Sequence, residues 1–154
     1  MKLSTHEDIA APIAHVFAQA SDFESFERRV MRAGATVARR QSGPIGVGSV
    51  WDVNAMFRGR MRHFICTLTA CDAPDSYVVT TETDGLVFVT QLTLVALSPK
   101  QTRACVVIEI SARKLSARLV LQSLKLVRTR LSDQLRSRIR GHAQGIAEAY
   151  RQAG

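Results

Sequence analysis

The sequence has few aromatic residues, few cysteines and no long apolar run. Tryptophan, tyrosine and phenylalanine make up 6% of the 154 residues, with one Trp, two Tyr and six Phe. This is a small number for a protein that stacks aromatic side chains on successive nucleic-acid bases. No apolar stretch approaches the roughly 20 residues that a membrane-spanning helix needs. The first residues also lack the uninterrupted apolar segment of a secretory signal. We therefore expect a cytoplasmic protein.

The usual motifs of metal sites and of catalysis are also missing. The cysteines, Cys66, Cys71 and Cys105, are odd in number and show no C-x-x-C spacing, which argues against a disulfide framework and a zinc site. The four histidines include no H-E-x-x-H segment. No G-x-S-x-G nucleophile motif and no phosphate-binding glycine loop is present. The sequence therefore predicts neither a metal nor another cofactor.

Apolar residues, in contrast, are plentiful enough for a folded core. They make up 46% of the chain, and charged residues make up 22%, as in ordinary globular proteins. We predict a single domain over residues 1–154, because two separate cores would need a longer chain. A chain of this length also has room for an internal cavity.

The positive charge is concentrated in one segment. The formal net charge is +8. Nine basic residues lie between Arg113 and Arg140, with Asp133 as the only acid, so this segment alone accounts for the whole excess. Such a run is usually the solvated face of a helix. Contact with an anionic membrane or with nucleic acid is the alternative interpretation.

Helix signals occur near the start and at the end of the chain. After a strand predicted over 2–11, Pro12 suits the first turn of a short helix that ends near Ala20. Asp22 suits the N-cap of a second short helix, which Gly34 closes. Apolar residues then step by three or four over 116–151, which predicts one long helix. Gly141 and Gly145 lie inside it, and we expect them to bend the helix or to permit close approach to a sheet.

The region between these helices has the period of β-strands. Turn signals separate the strands, among them a tight turn at Arg58-Gly59-Arg60 and a hairpin signal at Asp84-Gly85. The predicted strands cover 35–41, 49–57, 61–72, 76–83, 86–97 and 103–113. Together with the first strand they form a seven-stranded antiparallel sheet, whose apolar face the last helix covers. The predicted fold class is α+β.

Several segments carry a family resemblance over the whole chain. They are Ile9-Ala10-Ala11-Pro12 with Val16-Phe17, Asp22-Phe23 with Phe26-Glu27, the stretch Gly46-Val47-Gly48-Ser49-Val50-Trp51, and the basic amphipathic last helix. With this order of elements, the chain resembles the START-like helix-grip superfamily (SRPBCC), in particular its polyketide cyclase/dehydrase-like branch. The resemblance implies a sheet that grips the last helix and leaves a cavity for lipids, polyketides or other apolar molecules. It also implies that some members are cyclases or hydrolases, while many only bind or carry.

Strand alternation predicts which side chains face that cavity. The residues placed in solvent are Asp52, Asn54, Glu82, Gln91 and Glu109. On the strand over 61–72, each of the two sets of alternate residues contains both polar and apolar side chains. We predict that His63 and Thr67 face inward there, because Arg62 on the other set is better placed in water. The predicted ligand-binding residues are Trp51, Val53, Phe57, His63, Thr67, Tyr77, Thr81, Phe88, Thr90, Leu92, Ile108, Leu131 and Leu135.

The predicted function is the binding of a small hydrophobic or amphipathic ligand between sheet and helix. Threonine hydroxyls in an apolar lining suit a small-molecule site, although threonine is also common on any half-exposed sheet. One alternative is a cyclase or dehydratase acting on a carbonyl-containing ligand. His63 and Tyr77 are its only candidate catalytic residues, and a structural or surface role is the simpler interpretation of His63. No orienting carboxylate is assigned to their face, so we favour binding over catalysis.

The remaining alternatives concern partners. A small apolar ligand is the expected partner. The basic residues from Arg118 to Arg140 provide a surface for peripheral contact with an anionic membrane, whereas nucleic acid is not expected. The sequence leaves open whether the protein is a monomer or a homodimer.

Overall fold

The computed structural model describes residues 1–154 and contains one seven-stranded antiparallel sheet. The strands are β1 (Lys2–Ile9), β2 (Thr36–Arg39), β3 (Val50–Phe57), β4 (Arg60–Asp72), β5 (Ser76–Thr83), β6 (Leu86–Ser98) and β7 (Gln101–Ala112). The helices are α1 (Ile13–Ala20), α2 (Phe23–Arg32), α3 (Leu115–Leu126) and α4 (Arg128–Ala153). The strand order is β1-β7-β6-β5-β4-β3-β2, so the first strand lies at one edge beside the last. The predicted α+β helix-grip architecture is confirmed.

The two short helices begin and end where the local sequence supplies hydrogen-bonding groups. Asp22 caps α2, since its Oδ1 accepts a hydrogen bond of 3.2 Å from the backbone N–H of Ser25. Just before it, the hydroxyl of Ser21 donates to the carbonyl oxygen of Phe17 at 2.6 Å. This contact satisfies one of the free carbonyl groups at the end of α1.

The C-terminal helix is interrupted at Val127, which has φ −110° and ψ 24° and separates α3 from α4. The sequence predicted one continuous helix with a bend or a close approach at Gly141 or Gly145. Both glycines lie inside α4, and a Cβ added at either would meet no atom within 4 Å. The break occurs instead where the packing partner changes, because α3 contacts β6 and β7 whereas α4 packs mainly on β1.

The turn between β3 and β4 is one residue shorter than predicted. Arg58 and Gly59 form it, with φ of 53° and 83°, and Phe57 pairs with Arg60. Positive φ at both central residues is typical of a two-residue hairpin turn. A change of one residue moves every side chain of a strand to the other face of the sheet. The predicted facing of β4 is therefore wrong.

The pairing register shows the corrected faces. Val53 lies opposite Phe64, and Asn54 lies opposite His63. Residues directly opposite each other point to the same side of a sheet, so Phe64 faces the helices and His63 faces away from them. Thr67 also lies on the outer face, opposite Thr80. The predictions that His63 and Thr67 line the interior are thus corrected.

Arg62 takes the inward position that the sequence had assigned to His63. Its guanidinium carbon lies 5.7 Å from the centre of the Phe57 ring, and it donates hydrogen bonds to the Phe57 carbonyl oxygen at 2.8 Å and to Asp84 Oδ2 at 3.2 Å. Only 14% of the side chain is exposed. Because aromatic and polar partners replace water around the cation, an arginine can occupy this face.

Buried apolar side chains form three separate clusters. One lies under α1 and α4 and includes Val16, Leu92 and Ala143. A second lies under α3 and includes Leu86 and Leu124. A third, with partly buried Phe23 of α2 packed against it, consists of Trp51, Val53 and Leu68. The centre of the inner face lies between these clusters.

Candidate functional site

The inner face of the sheet is not fully covered by the helices. Cys66, Thr81, Phe88 and Thr90 point toward the helical side, yet each remains partly exposed. In a close-packed interior such residues would be buried. The arrangement therefore leaves accessible space over β4, β5 and β6, which we call the inner space.

The position of α4 explains this space. The helix packs mainly on β1 at one edge of the sheet, where Arg140 Nε lies 3.3 Å from Glu7 Oε1. Leu131 and Leu135 of α4 are partly buried against the core clusters. The strands at the other side of the sheet carry α2 instead, so the central strands face a gap between helices.

A pocket of about 280 Å³ opens at the end of the sheet where α3 begins. The ends of β3 and β4, the turn between β5 and β6, and the first turns of α3 enclose it. Its lining includes Phe57, Arg62, Thr83, Leu86, Lys114 and Val120. We call it the mouth pocket.

Three phenylalanines connect the mouth pocket with the inner space. The ring of Phe57 lies 5.9 Å from that of Phe64 and 6.5 Å from that of Phe88, at interplanar angles of 83° and 88°. Edge-to-face packing of this kind is favourable for aromatic rings. The result is an aromatic wall that an apolar molecule can contact along its length.

Few polar groups accompany this apolar wall. Thr81 Oγ1 donates to Cys66 Sγ at 3.5 Å. Burial raises the pKa of the Cys66 thiol, so the thiol stays neutral and is a poor nucleophile near neutral pH. Thr83 is 4% exposed, and its Oγ1 has no hydrogen-bond partner.

Tyr77 lies on the inner face, but its hydroxyl is already engaged. It donates to the carbonyl oxygen of Ala20 at 3.0 Å, and its ring packs edge-on against those of Phe17 and Phe23. Burial raises the pKa of Tyr77 to about 12. Such a group is poorly matched to proton transfer near neutral pH.

His63 belongs to a polar network on the outer face. Its Nε2 lies 2.8 Å from Asp52 Oδ1, and Arg40 donates two hydrogen bonds to the same carboxylate, at 2.7 and 2.8 Å. The bonds from Arg40 and then from His63 hold the pKa of Asp52 well below its usual range. A separate pocket of about 240 Å³ is lined by His63, Glu82 and Arg113 among others. Arg113 Nη1 lies 2.8 Å from Glu82 Oε1.

The structure brings most of the predicted lining residues together on the helical side. On that side lie Trp51, Val53, Phe57, Tyr77, Thr81, Phe88, Thr90, Leu92, Ile108, Leu131 and Leu135. Of these, Trp51, Val53 and Leu92 are buried in the clusters and do not border the inner space. The site prediction omitted Arg62, Phe64 and Cys66, which face inward. A turn of two residues at Arg58-Gly59, in place of the three residues predicted, would have assigned them to the inner face.

Two further observations concern the whole chain. No group of three or more His, Cys, Asp or Glu side chains lies close enough to hold a metal ion. None of the four helices combines the length and the apolar character needed to span a bilayer.

The sequence matches no family model and no curated protein. Its structure, however, resembles many solved ones. The crystal structure of TTHA0849 from Thermus thermophilus has 14% identity, a TM-score of 0.70, and coverage of 97% of this chain and 99% of the other. Norcoclaurine synthase from Thalictrum flavum, in complex with dopamine and hydroxybenzaldehyde, has 12% identity and a TM-score of 0.69. The match covers 100% of this chain and 88% of the synthase chain. The Zhui aromatase/cyclase from a Streptomyces species has 13% identity, a TM-score of 0.65, and coverage of 96% and 93%.

These similarities extend over nearly the whole of each chain at low sequence identity. They establish the fold of this chain, and the helix-grip fold predicted from the order of elements is confirmed.

Proposed function

We propose that this protein binds a small hydrophobic or amphipathic molecule in the inner space. The partial exposure of Cys66, Thr81, Phe88 and Thr90 beneath the helices carries the proposal, because an apolar surface that the protein itself does not cover is available to a ligand. The norcoclaurine synthase structure with dopamine and hydroxybenzaldehyde supports it, since the same fold there accommodates small aromatic molecules. We also propose a cytoplasmic location, supported by three unpaired cysteines.

Binding without turnover is the form of the proposal that the side chains favour. The cyclase or dehydratase alternative depended on His63 or Tyr77. His63 lies on the outer face beside Asp52, and the Tyr77 hydroxyl is bonded to Ala20. Neither presents a free acid–base group to the inner space, as general acid–base catalysis requires.

Native mass spectrometry of freshly purified protein tests the proposal. We expect a mass excess from a co-purifying apolar molecule that organic solvent extracts. Thr90→Trp should abolish it, because the larger ring fills the inner space. Gln91→Trp is the matched control, since the neighbouring residue is exposed on the outer face. Protein that carries no extractable molecule and binds no amphiphile when one is added would contradict the proposal.

A second candidate function is contact with an anionic membrane through α3. Leu115, Leu119 and Leu126 are 73%, 66% and 88% exposed. Their spacing places them on one side of the helix, and Arg118 and Lys125 flank them. An exposed leucine stripe beside cations suits the interface of a bilayer that contains acidic lipids.

Cosedimentation with vesicles tests this second candidate. We expect binding to phosphatidylserine/phosphatidylcholine vesicles and little binding to phosphatidylcholine alone. Replacing both Leu119 and Leu126 by serine should weaken binding by about a hundredfold or more, because each leucine removed from water contributes roughly 1.5–3 kcal/mol. Leu97→Ser, at an exposed position on β6, is the control. Salt-sensitive retention on DNA without vesicle binding would contradict the membrane interpretation.

A further inference from the structure

The mouth pocket has an excess of positive charge. Arg60, Arg62 and Lys114 line it, with Asp84 as the only acid. Asp84 is more than half exposed and is bonded to Arg62, so it offsets only one of the three cations. The Lys114 side chain lies across Gly85, where an added Cβ would be 2.6 Å from Lys114 Cγ. The glycine therefore allows the lysine to lie against the pocket.

The first turn of α3 adds backbone donors. The N-cap residue Lys114 makes no side-chain capping bond, and the first turn contains no acidic residue. Ser116 and Ala117 of that turn line the pocket. Backbone N–H groups at the start of a helix have no partner within the helix, and the helix dipole favours an anion there.

The unpartnered hydroxyl of Thr83 is an independent indication of a ligand. Thr83 lines the mouth pocket and also the separate pocket beside His63, and its buried Oγ1 has no hydrogen-bond partner. A buried hydroxyl without a partner is costly and uncommon in folded proteins. An oxygen of a bound ligand would supply the missing acceptor.

The mouth pocket also has apolar lining residues. Leu86 and Val120 line it, and the Phe57 ring leads toward Phe64 and Phe88. A molecule bound here would have its charged end near Arg62 and Lys114 and its apolar end in the inner space.

We propose that the mouth pocket recognises the anionic head, a carboxylate or a phosphate, of an amphipathic ligand. This inference rests on the proposed function and specifies the ligand class. A pocket of about 280 Å³ is slightly smaller than the roughly 300–1,000 Å³ typical of ligand sites, which favours a short chain.

Isothermal titration calorimetry with four probes tests the inference. They are octanoate, octyl phosphate, octan-1-ol and inorganic phosphate. We expect the dissociation constants of the two anionic amphiphiles to be lower than that of octan-1-ol by a factor of about ten or more. This is the ratio that the roughly 1.5–3 kcal/mol of a charge-assisted hydrogen bond implies. Inorganic phosphate should bind more weakly than octyl phosphate, because it lacks the apolar chain.

Three variants locate the head group. Arg62→Met, Lys114→Met and Thr83→Val should each reduce the preference for octanoate over octan-1-ol. Lys100→Met, at an exposed turn position between β6 and β7 outside the pocket, is the control and should leave the preference unchanged. Thr83→Val should also leave the free energy of unfolding unchanged or raise it, because it removes a hydroxyl that has no partner. A lower preference together with unchanged stability in Thr83→Val would indicate a role in binding and not in folding. This test remains valid even if Arg62→Met fails to fold.

The failures are distinguishable. Equal affinity for octanoate and octan-1-ol would overturn the inference and leave the proposed function intact. Unchanged preference in both Lys114→Met and Thr83→Val would also overturn it. Inorganic phosphate that binds as tightly as octyl phosphate would show a free-anion site instead of an amphiphile site. If no amphiphile binds, both the inference and the proposed function fail.

Discussion

The phenolic oxygen of Tyr77 lies 3.0 Å from the carbonyl oxygen of Ala20. The hydrogen bond joins β5, in the middle of the sheet, to the last residue of α1. The rings of Phe17 and Phe23 pack edge-on against the same tyrosine, with their centres 6.4 and 5.2 Å from the centre of its ring. Tyr77 therefore holds both short helices against the sheet beside the inner space.

Removing the hydroxyl should destabilise the protein. We expect Tyr77→Phe to lower the free energy of unfolding by about 1–3 kcal/mol, because the Ala20 carbonyl loses a donor in a partly buried setting. Urea denaturation measures the change. Tyr150→Phe is the control, since Tyr150 packs with its ring centre 5.1 Å from that of His15 and its hydroxyl takes no part in the bond to Ala20. An equal loss in both variants would show that the bond to Ala20 is not the cause.

The same residue predicts a loss of stability at alkaline pH. The pKa of Tyr77 is raised from 10.0 to about 12 in the folded protein by burial. Between these values the folded state retains a proton that the unfolded state has lost, so the free energy of unfolding falls as pH rises. The contribution is complete below pH 10 and is lost through pH 12. Denaturation curves at several pH values should show this slope in the wild type and a smaller slope in Tyr77→Phe. Equal slopes in the two proteins would contradict this account of Tyr77.

A second buried hydroxyl connects the segment between β1 and α1 with β7. Thr102 is fully buried, and its Oγ1 donates to the Ala11 carbonyl oxygen at 2.8 Å. Thr102→Val keeps the shape but removes the donor, so we expect a loss of about 1–3 kcal/mol. Thr93→Val, on the outer face of β6, should change stability by less than about 0.5 kcal/mol. Chemical denaturation of the two variants makes the comparison, and a neutral Thr102→Val would be inconsistent with this bond.

The fold could be predicted from the sequence because each element has a local signal. Alternation and the flanking turns placed a strand over 76–83, which coincides with β5 (Ser76–Thr83). The break at Val127 has no such signal. It depends on α3 and α4 packing against different strands, and helical periodicity continues through it.

The face of β4 could not be predicted from hydropathy. Each set of alternate residues on this strand contains both polar and apolar side chains. A rule that places arginine in water assigns the wrong set to the inner face. Arg62 lies inward because the Phe57 ring, the Phe57 carbonyl and Asp84 surround it. These partners meet only after the chain has folded, whereas the length of the turn at Arg58 and Gly59 decides the register.

Methyl NMR during titration with octanoate tests the central claim, that a ligand enters between the sheet and the helices. Threonines on the two faces of the neighbouring strands β4, β5 and β6 provide matched reporters. The methyl resonances of Thr81 and Thr90, on the inner face, should shift progressively and saturate. Those of Thr80 and Thr67, on the outer face, should not move. Shifts confined to Thr80 and Thr67, equal shifts on both faces, or no shift at any octanoate concentration would contradict the claim.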